Sequence, residues 1–362
     1  MTDLPTSRRY FAASNSSVGF KNYYADCFGG DQTDRLYIIK GGPGTGKSYF
    51  MKTVARQAEA HGYTVTEYAC SSDPASLDGV LLKRPNTPTI GLLDGTAPHV
   101  WEPTVPGVRE EIINLGAFWN SRQLHTMREA ILTHATAKSD AYARAYAYLR
   151  AAGDMESVAD SLVHPCVRQD ALAHLAARML RAVPGGEVCT TRPALRRAIS
   201  MTGDACLHTF EAQSAAVDGQ ILILDDYYGL GAYLTTALVA VSRTRGLDLL
   251  VSYDPLCPHK VDGLFYPATG LSILVGHAEP PMGVDVRAIS LRRYAEPDAL
   301  RAVRGELRQA RALAERLAEQ ARHSLATAAT HHFELESIYS AAMDFSAKEA
   351  YTTRFCYDLF QI

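Results

Sequence analysis

Short apolar or alternating runs recur through the first third of the chain, at residues 10–13, 36–40, 63–69, 90–94 and 111–115, and each reads as a β-strand. Helix-like stretches separate several of them, notably 49–60. Strands alternating with helices predict an α/β fold with a parallel, doubly wound sheet. From 121 to 180 strand signals vanish and Ala, Leu, Arg and Tyr dominate, so this stretch reads as a helical insertion. Strand-like runs then return at 221–225, 271–278 and 286–291. After Pro297, placed as a first helical residue, Leu300, Val303, Leu307, Ala310, Ala314, Leu317 and Ala321 repeat at three- and four-residue steps. That seam predicts a helix of about 45 Å at the usual rise per residue. Both helical arms read as packing elements rather than functional sites.

The two sets of strands resemble each other. Residues 221–234 can be laid under 36–49, with Gly229 on Gly44 and Gly231 on Gly46. Gly246, Pro258 and Asp262-Gly263 then fall under Gly62, Pro74 and Asp78-Gly79 at one offset of 184 positions, close to half the chain. The pattern predicts a tandem duplication with this organisation: 1–120 and 201–293 as two α/β halves, 121–200 as a helical insertion and linker, and 294–362 as a C-terminal helical extension.

Chemistry enters at Gly41-Gly42-Pro43-Gly44-Thr45-Gly46-Lys47-Ser48, a G-x-x-x-x-G-K-[ST] phosphate loop between a strand and a helix. Its glycines let successive backbone N–H groups turn toward one anion, and the following helix adds the positive end of its dipole. The expected nucleotide contacts are Gly41, Gly42, Gly44, Thr45, Gly46, Lys47, Ser48 and Tyr49. Lys47 would reach the phosphates and the Ser48 hydroxyl would hold Mg²⁺. In the second set, Ala232 falls under Lys47, Tyr233 under Ser48, and Asp226 and Tyr227 under Gly41 and Gly42, so that copy reads as degenerate.

Open α/β sheets carry ligands at the carboxyl ends of their strands. The run Ile90-Gly91-Leu92-Leu93-Asp94 ends in an acid placed to bind Mg²⁺. Asp73, ahead of Pro74, either orients water or metal, or caps the next turn. Asp78-Gly79 occurs in both copies and reads as a turn. His99 is either a phosphate sensor or structural. Nothing in the sequence places a base beside Cys70, so a nucleophilic role there is not supported. Arg292 and Arg293 follow a strand of the second copy, either as a source of an arginine finger or as surface residues pairing with Glu296.

The net charge of −3 gives no overall attraction toward nucleic acid or an anionic membrane, and Arg192, Arg196 and Arg197 read as a solvated face. The apolar run 234–241 is short and closed by Arg243 and Arg245, and the polar first ten residues lack a signal-peptide core. Seven scattered cysteines with no C-x-x-C pair support neither a disulfide scaffold nor a zinc site. The expected location is the cytoplasm.

The stretches Tyr37 to Ser48, Cys70 to Val80 and Leu93 to His99 resemble a poorly characterised family of bacterial P-loop ATPases with two tandem NTPase-like halves. The resemblance implies an ATPase or nucleotide-binding protein and adds no substrate; the residues themselves favour hydrolysis of ATP with Mg²⁺ in the first half, changing the arrangement of the two halves or of a partner. Lys47, Asp94 and Asp73 are the catalytic candidates, and Ser48 and Asp94 the metal ligands. The chain departs from the family in its degenerate second phosphate loop. Two other readings remain: a kinase acting on a small-molecule acceptor held under residues 121–180, and a nucleotide-gated binding protein with little turnover. An unidentified protein partner fits the first reading.

Overall fold

The runs at 36–40 and 221–225 become inner strands of two six-stranded sheets in the computed structural model of the chain, which describes residues 7–98, 100–201, 203–206, 220–276 and 286–360. In chain order the first part contains β1 (Ser7–Phe11), β2 (Ala13–Ser16), β3 (Gly19–Asn22), α1 (Tyr24–Phe28), β4 (Arg35–Lys40), α2 (Lys47–Ala60), β5 (Thr64–Ala69), β6 (Leu77–Lys83), β7 (Ile90–Asp94) and β8 (Glu110–Asn114). Helices α3 (Ser121–Thr126), α4 (Arg128–Val163) and α5 (Gln169–Met179) follow. The second part holds β9 (Thr191–Pro193), β10 (Arg197–Ser200), β11 (Gly203–Cys206), β12 (Ile221–Asp225), α6 (Leu230–Thr244), β13 (Leu249–Tyr253), β14 (Val261–Tyr266), β15 (Leu271–Val275) and β16 (Val286–Ser290). Two helices end the chain, α7 (Pro297–Ala341) and α8 (Phe345–Phe360).

The first sheet runs β1-β5-β6-β7-β4-β8 and the second β9-β13-β14-β15-β12-β16. Position by position the pairing directions agree, and β6 and β14 each run antiparallel to both neighbours. The sheets are therefore mixed, which corrects the expectation of a parallel sheet. The misread segment is β6. Asp-Gly is turn chemistry in isolation, but here the buried Asp78 accepts a hydrogen bond from the Tyr24 hydroxyl at 3.1 Å inside a strand. Satisfied in this way, a carboxylate can lie in a sheet at tolerable cost.

The two sheets pack face to face. In β4, Leu36 and Ile38 meet Leu250, Phe265 and Leu274 of the second sheet. Tyr37 and Ile39, on the opposite face, pack with Phe50, Met51 and Val54 of α2 and with Cys356 and Leu359 of α8. Burial on both faces explains why these strands read as continuous apolar runs. Strands β2, β3, β10 and β11 form a separate four-stranded sheet to which both halves contribute. Arg196 and Arg197 lie here, not on a solvated face: Arg196 is buried and donates to the Val275 carbonyl, and Arg197 pairs with Asp262 at 2.7 Å.

Beyond the sheets, α4 and α7 run antiparallel, with Ala141 packed near Ala328 and Ala329, and His134 meeting His331 at 3.1 Å. Buried alanines at 310, 314, 318 and 321 of α7 and at 141, 145 and 152 of α4 keep the seam narrow. Helix α7 continues well past the apolar repeat read from sequence, reaching 45 residues, or about 68 Å at 1.5 Å per residue. The outer helices cross over. Leu172, Leu175 and Ala176 of α5 join the core of the second sheet, while α8 covers the first. No helix among the described residues is long and apolar enough to cross a membrane.

Candidate nucleotide site

The phosphate loop leaves β4 at Lys40 and enters α2 at Lys47, with Gly44 and Gly46 at φ 71° and 77°. Only glycine takes that left-handed conformation at little cost. At Gly44 space is a second constraint, because a Cβ there would collide with the Glu336 carbonyl and the Ser340 hydroxyl of α7.

Within the loop, Thr45 is buried and donates to the Gly42 carbonyl at 2.9 Å, and Thr96 donates to the Gly41 carbonyl at 2.8 Å. Lys47 Nζ donates to the carbonyls of Gly41 and Gly42, both at 2.8 Å, and lies 3.5 Å from Asp94 Oδ2. The second Asp94 oxygen accepts from the Thr96 N–H at 2.8 Å. Ser48 Oγ accepts from the Leu77 N–H at 3.0 Å, which points the hydroxyl toward the end of β6. A hydroxyl and a carboxylate at the loop are hard oxygen donors of the kind Mg²⁺ takes, so Ser48 and Asp94 fit the expected metal.

These groups line a chamber of about 650 Å³. Its floor is Pro43 to Ser48 with Asp73, Asp94 and Thr96. Its roof comes from the helical arms: Lys138, Tyr142 and Tyr146 of α4, and His332, Glu336 and Ser340 of α7. Ser340 also donates to the Gly44 carbonyl at 3.1 Å. The arms are therefore part of the site and not packing elements alone. Both roof triplets are spaced four residues apart, so each forms a stripe down one helix face, although that spacing alone does not say what the stripe faces.

Burial sets the protonation of the roof. It drives the His332 imidazole down to about 4, helped by the Lys138 and Lys47 ammonium groups, so His332 is neutral near pH 7. Burial and then Asp73 raise the Glu336 carboxyl, while burial lowers the Lys138 ammonium. The Tyr142 hydroxyl is pushed up to about 12, chiefly by burial. Cys70 is held well above its ordinary range by burial and Asp78, which leaves it an inert thiol near neutral pH.

The remaining sequence candidates fall as follows. Asp73 lines the chamber, and its oxygens also accept from the Ala75 N–H at 3.1 Å and the Ser76 hydroxyl at 2.7 Å, so the turn-capping geometry is present as well. Gly41 and Gly42 form the back of the loop, with Gly42 against the Trp119 ring. Tyr49 turns away: its ring lies 4.5 Å from Lys348 Nζ and its hydroxyl reaches Glu349 at 3.4 Å. His99 lies outside the described residues. Arg292 and Arg293 do not reach the chamber. Arg292 stacks on Tyr227 and Arg293 on Tyr294, while Glu296 is held by Arg168 at 2.8 Å.

In the second half, Gly229 caps α6 at φ 82°, as Gly46 caps α2. Matching the helix starts places Leu230 where Lys47 stands and Gly231 where Ser48 stands, two positions short of Ala232 and Tyr233, the residues that the sequence pattern lays there. The intervening loop is shorter, and neither ammonium nor hydroxyl is supplied. Asp226 Oδ1 instead accepts the Gly231 N–H at 3.1 Å, so a side-chain anion sits at the helix N-terminus. Val275 pairs with Leu224 as Asp94 pairs with Ile39, so the strand-end acid is absent too. The cavity at this position, about 520 Å³, is lined by the acids Glu156, Asp226, Asp254 and Glu315 beside Lys260 and Arg311.

A family model described as an AAA domain matches residues 31–77, from the turn before β4 through the phosphate loop and α2 to the first residue of β6. No curated protein and no solved structure matches the chain significantly. The AAA-domain match and the α/β architecture support a P-loop NTPase family and nucleotide binding for this chain.

Proposed function

We propose that the chain is a Mg²⁺-dependent ATPase with one working site, in its first half, whose occupancy is sensed by the helical arms. The observation that carries this reading is the single chamber that brings Lys47, Ser48 and Asp94 together under α4 and α7. Loop N–H groups and Lys47 would hold the phosphates, and Ser48 and Asp94 would hold Mg²⁺, which supplies neutralisation of charge on the phosphate oxygens. Lys138 adds a second cation inside the same low-dielectric space, and Glu336 and Asp73 are carboxylates available to orient a water.

We further propose that the halves arose by tandem duplication. Identical strand orders support this, as do registers such as Ser7 with Val65 and Thr191 with Leu249, offset by 184 positions in both partners. The two halves also meet reciprocally: Phe11 and Leu195, again 184 apart, each donate an N–H to the other's carbonyl, at 2.9 and 3.3 Å. A division near residue 190 assigns β9 and β10 to the second half.

One observation favours the kinase reading as a second choice. The chamber extends past Asp73 to Ser72, Tyr142 and Tyr146, hydroxyl-bearing residues that suit a small polar acceptor. Phosphate release by the purified chain separates the readings. Mg²⁺-dependent release without an acceptor, lost in Lys47→Ala, is the expected result. ADP formed only when an acceptor is present establishes the kinase, and tight ATP binding without ADP establishes a gated binder.

A further inference from the structure

Lys348, on the C-terminal helix α8, is only 3% exposed, and among the described residues its ammonium is in no ion pair or hydrogen bond, with Glu349 acting on it only at longer range. Its neighbours are aromatic: the Tyr49 ring centroid at 4.5 Å and the Phe345 centroid at 5.9 Å. Glu349, next on the helix, reaches the Tyr49 hydroxyl instead. Aromatic faces compensate a desolvated ammonium only in part, and a buried charge left unpaired is costly. Burial accordingly lowers the Lys348 ammonium from its ordinary range.

The position of this charge is informative. Lys348 Nζ lies 3.4 Å from where a Cβ on Gly46 would stand, so the glycine that caps α2 also makes room for the lysine. Gly46 belongs to the phosphate cradle, and Phe345, one turn before Lys348, lines the same chamber. A cation held against aromatic rings beside a loop built for an anion, with no direct ion pair of its own, gains one when that anion arrives.

We propose that Lys348 is a second phosphate-binding lysine of the nucleotide site, delivered by the last helix of the chain, and that its ammonium pairs with an oxygen of the bound phosphate chain. The inference rests on the nucleotide-binding reading of the loop. It also gives α8 a role beyond covering the first sheet, because the last helix becomes a direct ligand of the nucleotide.

Calorimetric titration of the full chain with ATP, comparing wild type, Lys348→Met and Lys348→Arg, tests it. Methionine keeps the unbranched stem and removes the charge. The expected result is an ATP affinity about 10- to 100-fold weaker in Lys348→Met, the range for losing one charged hydrogen bond, with Lys348→Arg within a few-fold of wild type. The fall of affinity with added salt should also be shallower in Lys348→Met. Thermal unfolding without nucleotide should be unchanged or raised in Lys348→Met, since an unpaired buried charge is gone. Equal ATP affinity in Lys348→Met and wild type overturns the proposal. A nucleotide-free Lys348→Met protein destabilised by several degrees overturns it too, by showing a packing role. Wild-type protein that binds no ATP overturns the nucleotide reading itself and this inference with it.

Discussion

Lys47 Nζ stands 3.5 Å from Asp94 Oδ2 while donating to the carbonyls of Gly41 and Gly42, so the ammonium proposed to bind phosphate is held by its own loop. Binding a polyphosphate exchanges those partners for phosphate oxygens, a stronger charge-assisted pairing. Replacing Lys47 by Ala should weaken ATP binding by roughly 10- to 100-fold or more, measured by calorimetry. The far-ultraviolet circular dichroism should not change, because the lost atoms fill chamber space rather than core. Wild-type affinity in the variant would remove Lys47 from the site.

Asp94 makes a different kind of contact. It is 8% exposed, fixed by the Thr96 N–H, and closes the strand beside β4. The Asp94→Asn variant keeps shape and loses charge. It should bind ATP about as well as wild type and lose most Mg²⁺-dependent phosphate release. Full turnover at saturating Mg²⁺ would transfer the metal role to another group, with Asp73 the next to test.

Stoichiometry should be one nucleotide per chain. At the N-terminus of α6 the Asp226 carboxylate already occupies the Gly231 N–H, and Leu230 replaces the lysine. Removing that carboxylate in Asp226→Ala should cost about 0.5–1.5 kcal/mol of stability, as loss of one hydrogen bond does, without changing ATP affinity. A calorimetric ratio of two nucleotides per chain would contradict the assignment.

Acid should destabilise the chain through His332. Its folded value of about 4 lies below the ordinary 6.5, so between these values the unfolded chain binds the extra proton. The stability held by neutral His332 is thus fully present above pH 6.5 and is lost as pH falls toward 4, by an amount of order 2–3 kcal/mol. Glu336, raised by burial, acts in the opposite direction, so the difference between wild type and His332→Gln isolates the histidine. The difference in denaturant midpoint between wild type and His332→Gln should be constant above pH 6.5 and should move against wild type as pH falls from 6.5 toward 4. Parallel pH profiles for the two proteins would show that His332 is not the group responsible.

Legibility in the sequence followed the range of the interactions. The phosphate loop and the strands on either side could be read because glycine conformation, strand runs and the helix start are all set within about fifteen residues. Asp78 was misread as a turn because the hydroxyl that satisfies it belongs to Tyr24, 54 positions away. The roof escaped for the same reason at greater distance. His134 meets His331 across 197 positions, and no local pattern says which helix will lie over which loop. At the second loop the laid-under positions miss the helix start by two residues because the loop before α6 is shorter than the one before α2, which only the helix start reveals.

Helix α7 begins among Leu300, Leu307 and Ala310 in the core of the second sheet and ends with Ser340 bonded to the phosphate loop at Gly44. A rod fastened at both ends cannot take up slack. If nucleotide binding moves the loop along the rod's axis, the movement would be felt about 60 Å away by the relation of rise to residue number, and the reverse would hold equally. On the proposed reading, the half without a phosphate-binding lysine or strand-end acid would still carry a mechanical load set by the other.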